Sequence, residues 1–215
     1  MKENQQSKRG VFISLEGIEG TGKTTQAKLL SERLSKEGYD VVLTKEPGGT
    51  VIGGRIREIL LQPDHTEMSY VAELLLYNAD RAQHLNEKIL PAVNNGKIVI
   101  TDRFTDSTIA YQGYGRGIDI GLLKSIDIIA TGSIRPDLTV LFDLDVEVGL
   151  MRNKGANKID RLELEDIEFH KKVREGYLKI AEAETERVKI VDASMQPEQV
   201  SEKIWEIVRW RLKMS

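Results

Sequence analysis

Cysteine is absent from the 215 residues, which removes disulfides, thiolate zinc sites and cysteine nucleophiles together. A basic excess is missing as well: 31 Lys and Arg stand against 34 Asp and Glu, a formal net charge of −3. A protein that binds nucleic acid mainly through its charge carries such an excess, so no nucleic-acid partner is expected and any bound anion needs a local pocket. No apolar run approaches the ~20 residues that cross a bilayer, so no membrane partner is expected either. The opening MKENQQSKRG lacks the apolar stretch of a signal peptide, and a cytoplasmic protein is the expectation. Pro- or Ser-rich linkers, internal repeats and low-complexity tracts are also missing. Residues 1–9 read as a mobile tail and 10–215 as a single domain.

What is present is a regular alternation. Residues 11–15, 40–44, 97–101, 138–142 and 188–191 are short β-branched runs, of the kind that form parallel strands covered on both faces. Between them lie longer amphipathic stretches. Ala27, Leu30 and Leu34 share one helical face; Val200, Ile204, Ile207 and Val208 share another. Strands alternating with helices imply a doubly wound α/β domain.

The first chemical signal sits between the first strand and its helix. Gly17-Ile18-Glu19-Gly20-Thr21-Gly22-Lys23-Thr24 fits G-x-x-x-x-G-K-[ST], a P-loop that wraps a phosphate in backbone N–H groups. With Thr25, these residues are the expected ATP site. Lys23, read as a loop residue that packs against nothing, reaches the β- and γ-phosphates, and the Thr24 hydroxyl ligates Mg²⁺. The second signal closes the third strand: Asp102 for Mg²⁺ through water, and Arg103 for a second phosphate. A plain strand-end ion pair is the other reading of Asp102. Lys45-Glu46-Pro47-Gly48-Gly49-Thr50, taken alone, reads as a structural turn. Tyr77 and Arg81, four apart in a helical stretch that starts near Ser69, share one face; an exposed stripe has the same spacing.

In this order the elements resemble the thymidylate kinase family. The family pattern D-R-[FYH]-x-x-S-x-x-A-[FY]-[QST] is met from Asp102 through Gln112, and EPGG with a downstream I-R by Glu46–Gly49 with Ile56 and Arg57. Asp160-Arg161-Leu162-Glu163, then Phe169-His170 and Gly176-Tyr177, extend the likeness. The resemblance implies a P-loop NTPase fold, with a five-stranded parallel sheet flanked by helices on both faces and a lid segment. It also implies a homodimer, and phosphorylation of dTMP to dTDP by ATP with Mg²⁺, a step toward dTTP. Tyr77 corresponds to the aromatic that stacks on thymine and Arg81 to the base-reading arginine. Thr108 and Gln112 fall at the base edge, and Tyr111 where a ribose 2′-OH is crowded out. Glu46, Arg57 and Arg103 match positions around the acceptor phosphate, and Glu19 one near the sugar 3′-OH and phosphate. Lacking a P-loop arginine, the chain resembles the bacterial subtype with a basic lid, supplied by residues 150–161. Arg152 and Arg161 then join Lys23 and Arg103 as expected catalytic cations, with Lys154 and Lys158 nearby. Lys45 departs from the arginine usual before EPGG, and Gly54 from a common glutamate.

Three rivals have sequence arguments. Asn157-Lys158-Ile159-Asp160 matches the N-K-x-D of GTPase switches, but it follows no buried strand and no D-x-x-G lies downstream of the P-loop. A deoxynucleoside kinase needs a base for the 5′-OH and leaves Arg57 and Arg103 without a phosphate. The third is an ATP-binding regulatory module without turnover. His65, His84 and His170 show no metal-ligand spacing and read as surface or packing residues.

Overall fold

The computed structural model describes residues 9–154 and 160–214. Five strands, β1 (Phe12–Glu16), β2 (Val41–Lys45), β3 (Ile98–Asp102), β4 (Leu138–Asp143) and β5 (Val188–Asp192), form one parallel sheet in the order β2-β3-β1-β4-β5. All five expected strands are present, and each runs on to one polar residue at its carboxyl end. Glu16, Lys45, Asp102, Asp143 and Asp192 sit past the apolar stretch that periodicity can see, yet ladder pairing continues through them, as in Lys45 opposite Asp102. Most of the chemistry of an open parallel sheet gathers at this edge.

Alternation along the strands fills both faces. Ile13, Ile98, Ile100, Leu138 and Val140 meet Leu30 and Leu34 of α1 (Lys23–Lys36) and Val200, Ile204 and Val208 of α9 (Pro197–Leu212). On the opposite face Leu141 packs with Phe169, Val173 and Tyr177 of α8 (Ile167–Ala183), and Phe12 and Val99 with Leu85, Ile89 and Val93. The central strands are therefore dry on both sides, while edge residues Leu43 and Ile190 stay exposed.

Four further helices lie along the rest of the chain: α2 (Val51–Leu61), α3 (Tyr70–His84), α6 (Ile120–Thr131) and α7 (Val146–Lys154). Two shorter ones, α4 (Leu90–Asn94) and α5 (Thr105–Thr108), join wider windings. α3 begins where the sequence marks it: the Ser69 hydroxyl caps it by accepting from the Ala72 N–H. Two windings are not signalled by periodicity. Residues Leu85–Ile89 and Ile109–Gly115 are π-helical, and the second continues α5 and carries Tyr111 and Gln112. Of the expected tail, residues 1–8 lie outside the described residues; Arg9 is held by an ion pair with Asp137 at 2.9 Å. Among the described residues no helix is long and apolar enough to cross a membrane.

Candidate active site

A cavity of about 530 Å³ opens at the carboxyl edge beside β1, β2 and β3. Its phosphate end is the P-loop. Gly20 has φ +72 and approaches the neighbouring chain so closely that a Cβ would collide with the Gly149 carbonyl oxygen. Only glycine fits there. Glu19, Gly20, Lys23 and Thr24 line the cavity. Gly17, Ile18, Thr21, Gly22 and Thr25 do not: Ile18 and Thr21 are buried behind the loop, and Thr25 is exposed on α1.

Lys23 is not a free loop residue. It is the first residue of α1 and is buried, with Nζ donating to the carbonyls of Gly17 (2.9 Å) and Ile18 (2.6 Å) and to Thr21 Oγ1 (3.1 Å). Burial, and then the charge of Arg103, push its ammonium pKa down to about 8. The Thr24 hydroxyl donates to Asp102 Oδ2 at 2.6 Å.

Arg103 is the hub. Its backbone is left-handed, φ +77, and its side chain donates five times. Nη1 reaches the Gly17 carbonyl (3.1 Å), Ser107 (3.2 Å) and the Tyr177 hydroxyl (3.0 Å); Nη2 reaches Glu19 Oε1 and the Tyr111 hydroxyl, both at 3.0 Å. Tyr111 in turn donates to Glu19 Oε1 at 2.5 Å. Burial alone would raise the Glu19 carboxyl. His170, Arg103, Lys23 and Tyr111 outweigh it and hold Glu19 far below the usual carboxylate range.

Beneath this hub lies Glu16, which sequence reading passed over. It is fully buried and accepts from Ser14 (2.8 Å), the Phe104 N–H (2.6 Å), Ser107 (2.6 Å) and Tyr177 (3.0 Å). These bonds pin the Arg103–Phe104 turn. Burial, with Asp106 as a like charge, raises its pKa to about 7. A charged residue in the otherwise uncharged strand FISLE is the signal that points to it.

The other wall comes from α2, α3, α5 and the π-helical winding. Tyr77, Arg81, Arg57, Thr108 and Gln112 all line it, with Glu46 from the turn after β2. Arg81 is wholly buried, not part of an exposed stripe: Nε donates to Glu46 (2.9 Å), Nη1 to Thr108 (2.7 Å) and Nη2 to the Phe104 carbonyl (3.0 Å). Glu46 also meets His84 Nδ1 at 2.9 Å, so His84 is a buried member of the site's support. Arg57 donates to the Pro47 carbonyl (2.9 Å).

The expected lid arginines do not line the cavity. Arg152 is exposed and donates to the Ala193 carbonyl (3.0 Å). Arg161 is buried and donates to the Leu60 carbonyl (3.1 Å) and to buried Glu73, which it meets in a short ion pair. A buried carboxylate is the stronger claim on that guanidinium, which is why Arg161 turns inward. Asn153, Asp160, Leu162 and Glu163 line the cavity from this segment instead. Residues 155–159, Lys158 included, and the Lys154 side chain lie outside the described residues.

Comparison with known proteins agrees on one description. The family model for thymidylate kinase matches residues 15–204. The thymidylate kinase of Carboxydothermus hydrogenoformans is 51% identical over 199 residues, 93% of this chain and 95% of that one. That of Halothermothrix orenii is 50% identical over 204 residues, 94% and 97% of the two chains. The crystal structure of thymidylate kinase from Ehrlichia chaffeensis superposes with a TM-score of 0.77 at 34% identity, covering 94% of this chain and 99% of that one.

Proposed function

Because the chain belongs to the thymidylate kinase family, whose reaction is the phosphorylation of dTMP to dTDP by ATP, we propose that its cavity performs the transfer by alignment and charge neutralisation, without a general base. The observation that supports this is Arg103, bonded at once to Gly17 of the P-loop and to Tyr111 on the facing wall. A phosphate monoester has a second pKa of about 6, so the acceptor is already largely dianionic at neutral pH. The obstacle is repulsion between two polyanions, and cations remove it.

In this reading Lys23 leaves its loop carbonyls for the β- and γ-phosphates. Arg103, with Arg57, takes the acceptor phosphate, and Glu19, ionised and acceptor-only, takes the sugar 3′-hydroxyl. Glu46 acts behind them, fixing Arg81. Arg81 keeps two of a guanidinium's five donors beyond its three bonds, enough to reach a base edge. Tyr77 stacks on the base. Thr24 and Asp102 are hard oxygen donors that suit Mg²⁺. No three His, Cys, Asp or Glu side chains converge among the described residues, so phosphates and water would complete the ion's shell. When bound, the ion neutralises charge across the phosphates. Of the lid pair, Arg152 can turn toward the transferring phosphoryl by giving up one carbonyl. Arg161 would leave buried Glu73 short of a partner, so it is assigned to structure.

The test is a coupled assay with ATP, Mg²⁺ and a panel of acceptors. dTMP is expected to exceed UMP in kcat/KM by about tenfold or more, because Tyr111 lines the cavity at the position where the family crowds out a ribose 2′-hydroxyl. Tyr111→Ala should erase most of that gap. Equal kcat/KM for dTMP and UMP in the parent enzyme would sink the base-and-sugar assignment, and turnover of thymidine in place of dTMP would favour the nucleoside-kinase rival.

A cytoplasmic homodimer belongs to the same reading. α3 packs between α2 and α6, and the three helices expose Val51 and Ile52, Val71 and Leu75, and Leu122 and Ile129. Exposed apolar side chains on neighbouring helices are covered when a second copy docks on them. Light scattering at the mass of a single chain would contradict it.

A further inference from the structure

Glu73 is a carboxylate without any contact with solvent, on the same face of α3 as Tyr77 and Arg81 and four residues before Tyr77. Its Oε1 accepts from Gln112 Nε2 (2.9 Å) and from Arg116 Nε (3.2 Å). Its Oε2 accepts from Arg116 Nη2 (3.1 Å) and from Arg161. Burial works against the charge, but Arg116, Gln112 and Arg161 outweigh it and keep the carboxyl below its usual range. An ionised carboxylate can only accept. The amide nitrogen of Gln112 must therefore face Glu73, whichever way the side chain would otherwise turn.

That commitment decides what Gln112 offers the cavity it lines. With one Nε2 hydrogen committed to Glu73, Oε1 is held on the opposite side as an acceptor. We infer that Glu73 is a positioning residue for base choice: by holding the Gln112 amide in one orientation it makes the site demand a ring N–H donor from the pyrimidine. Thymine and uracil carry that donor at N3. Cytosine carries a lone pair there, and two facing acceptors repel and leave both unsatisfied. The inference rests on the reading that Gln112 meets the base.

Glu73→Gln tests it by reversing the demand. Arg116 Nη2 and Arg161 both donate on the Oε2 side, against the single longer bond from Arg116 Nε on the Oε1 side, so the new carbonyl stays toward the pair and the new NH₂ faces Gln112. Gln112 then turns, offering Nε2 to the base. The readout is the ratio of kcat/KM for dTMP to that for 5-methyl-dCMP, which differs from dTMP only along the N3–C4 edge. The ratio is expected to fall by about tenfold or more. The exchanged pair Glu73→Gln with Gln112→Glu should restore it, because a carboxylate at position 112 accepts from the amide now at position 73 and again from N3–H. A merely structural Glu73 would lower thermal stability and all rates together and leave the ratio unmoved; a folded Glu73→Gln enzyme with the parent ratio overturns the proposal. The parent enzyme supplies a check that depends on no variant's folding. Its affinity for 3-deaza-dTMP, with C–H in place of N3–H, should be weaker than for dTMP by about tenfold. Equal affinities overturn the proposal. Gln112→Leu separates the two layers: if it leaves base choice intact, Gln112 does not meet the base and the underlying reading fails; if it alters base choice while Glu73→Gln does not, only the orienting role fails.

Discussion

Replacing Lys23 with alanine is expected to lower turnover of ATP and dTMP by about 10³-fold or more while the chain still folds. The ammonium is the P-loop's own cation, and residues 17–24 hold no other Lys or Arg to stand beside the backbone N–H groups against charge on the β- and γ-phosphates. The loop itself tolerates the change because the carbonyls of Gly17 and Ile18 can be reached by water once the side chain is gone. A second readout belongs to the same residue. With a pKa near 8, Lys23 is half deprotonated in the free enzyme at that pH. Phosphates favour the charged form, so binding takes up a proton above pH 8 and ATP affinity should fall as pH rises further, approaching tenfold per unit. Lys23→Ala should bind ATP weakly with that fall removed. Circular dichroism, kcat and calorimetric ATP titrations from about pH 7 to about pH 9.5 decide the matter. A folded variant within about tenfold of the parent kcat would remove Lys23 from the mechanism.

Arg103→Ala should be nearly as damaging, with a different signature. Arg103 touches the P-loop, Glu19 and Tyr111 together, so its loss frees two walls as well as one charge. Turnover is expected to drop by about 10²-fold and the dTMP dissociation constant to rise by about tenfold, because the same guanidinium serves ground state and transition state. Arg103→Lys should recover little. A point ammonium cannot span five acceptors that a planar fork reaches from two sides. If kcat and dTMP affinity both stay within a few-fold of the parent in the alanine variant, the hub is structural only.

How much of this could be read from the chain depends on how local each feature is. The three central strands were legible because residues such as Ile98-Val99-Ile100 are dry on both faces, which leaves an unbroken apolar run, and the two edge strands because their β-branched runs stand between amphipathic stretches. The P-loop was legible because its glycines and lysine are contiguous. The start of α3 was legible because a capping serine announces itself. Networks closed over long distances were not. Tyr177 meets Glu16 across 161 residues, and Arg161 meets Glu73 across 88. No periodicity reports such a partnership, and a basic residue in a polar stretch looks the same whether it faces solvent, phosphate or a buried carboxylate. Arg161 shows the consequence: its charge was visible, its partner was not. Glu73 did leave a trace, since Glu73, Tyr77 and Arg81 recur at four-residue spacing on one helical face.

The left-handed backbone of Arg103 carries a cost that its side chain more than offsets. A non-glycine residue at φ +77 costs about 1–2 kcal/mol relative to one in an ordinary conformation, and glycine would occupy it without that cost. The Glu16 bond to the Phe104 N–H is one of the contacts that hold arginine there. A screen that selects variants of this chain for heat resistance alone should still reject glycine at 103: relaxing the backbone recovers about 1–2 kcal/mol, whereas losing the guanidinium breaks the mostly buried ion pair with Glu19, at about 3–5 kcal/mol. Durability and turnover select the same residue in this turn.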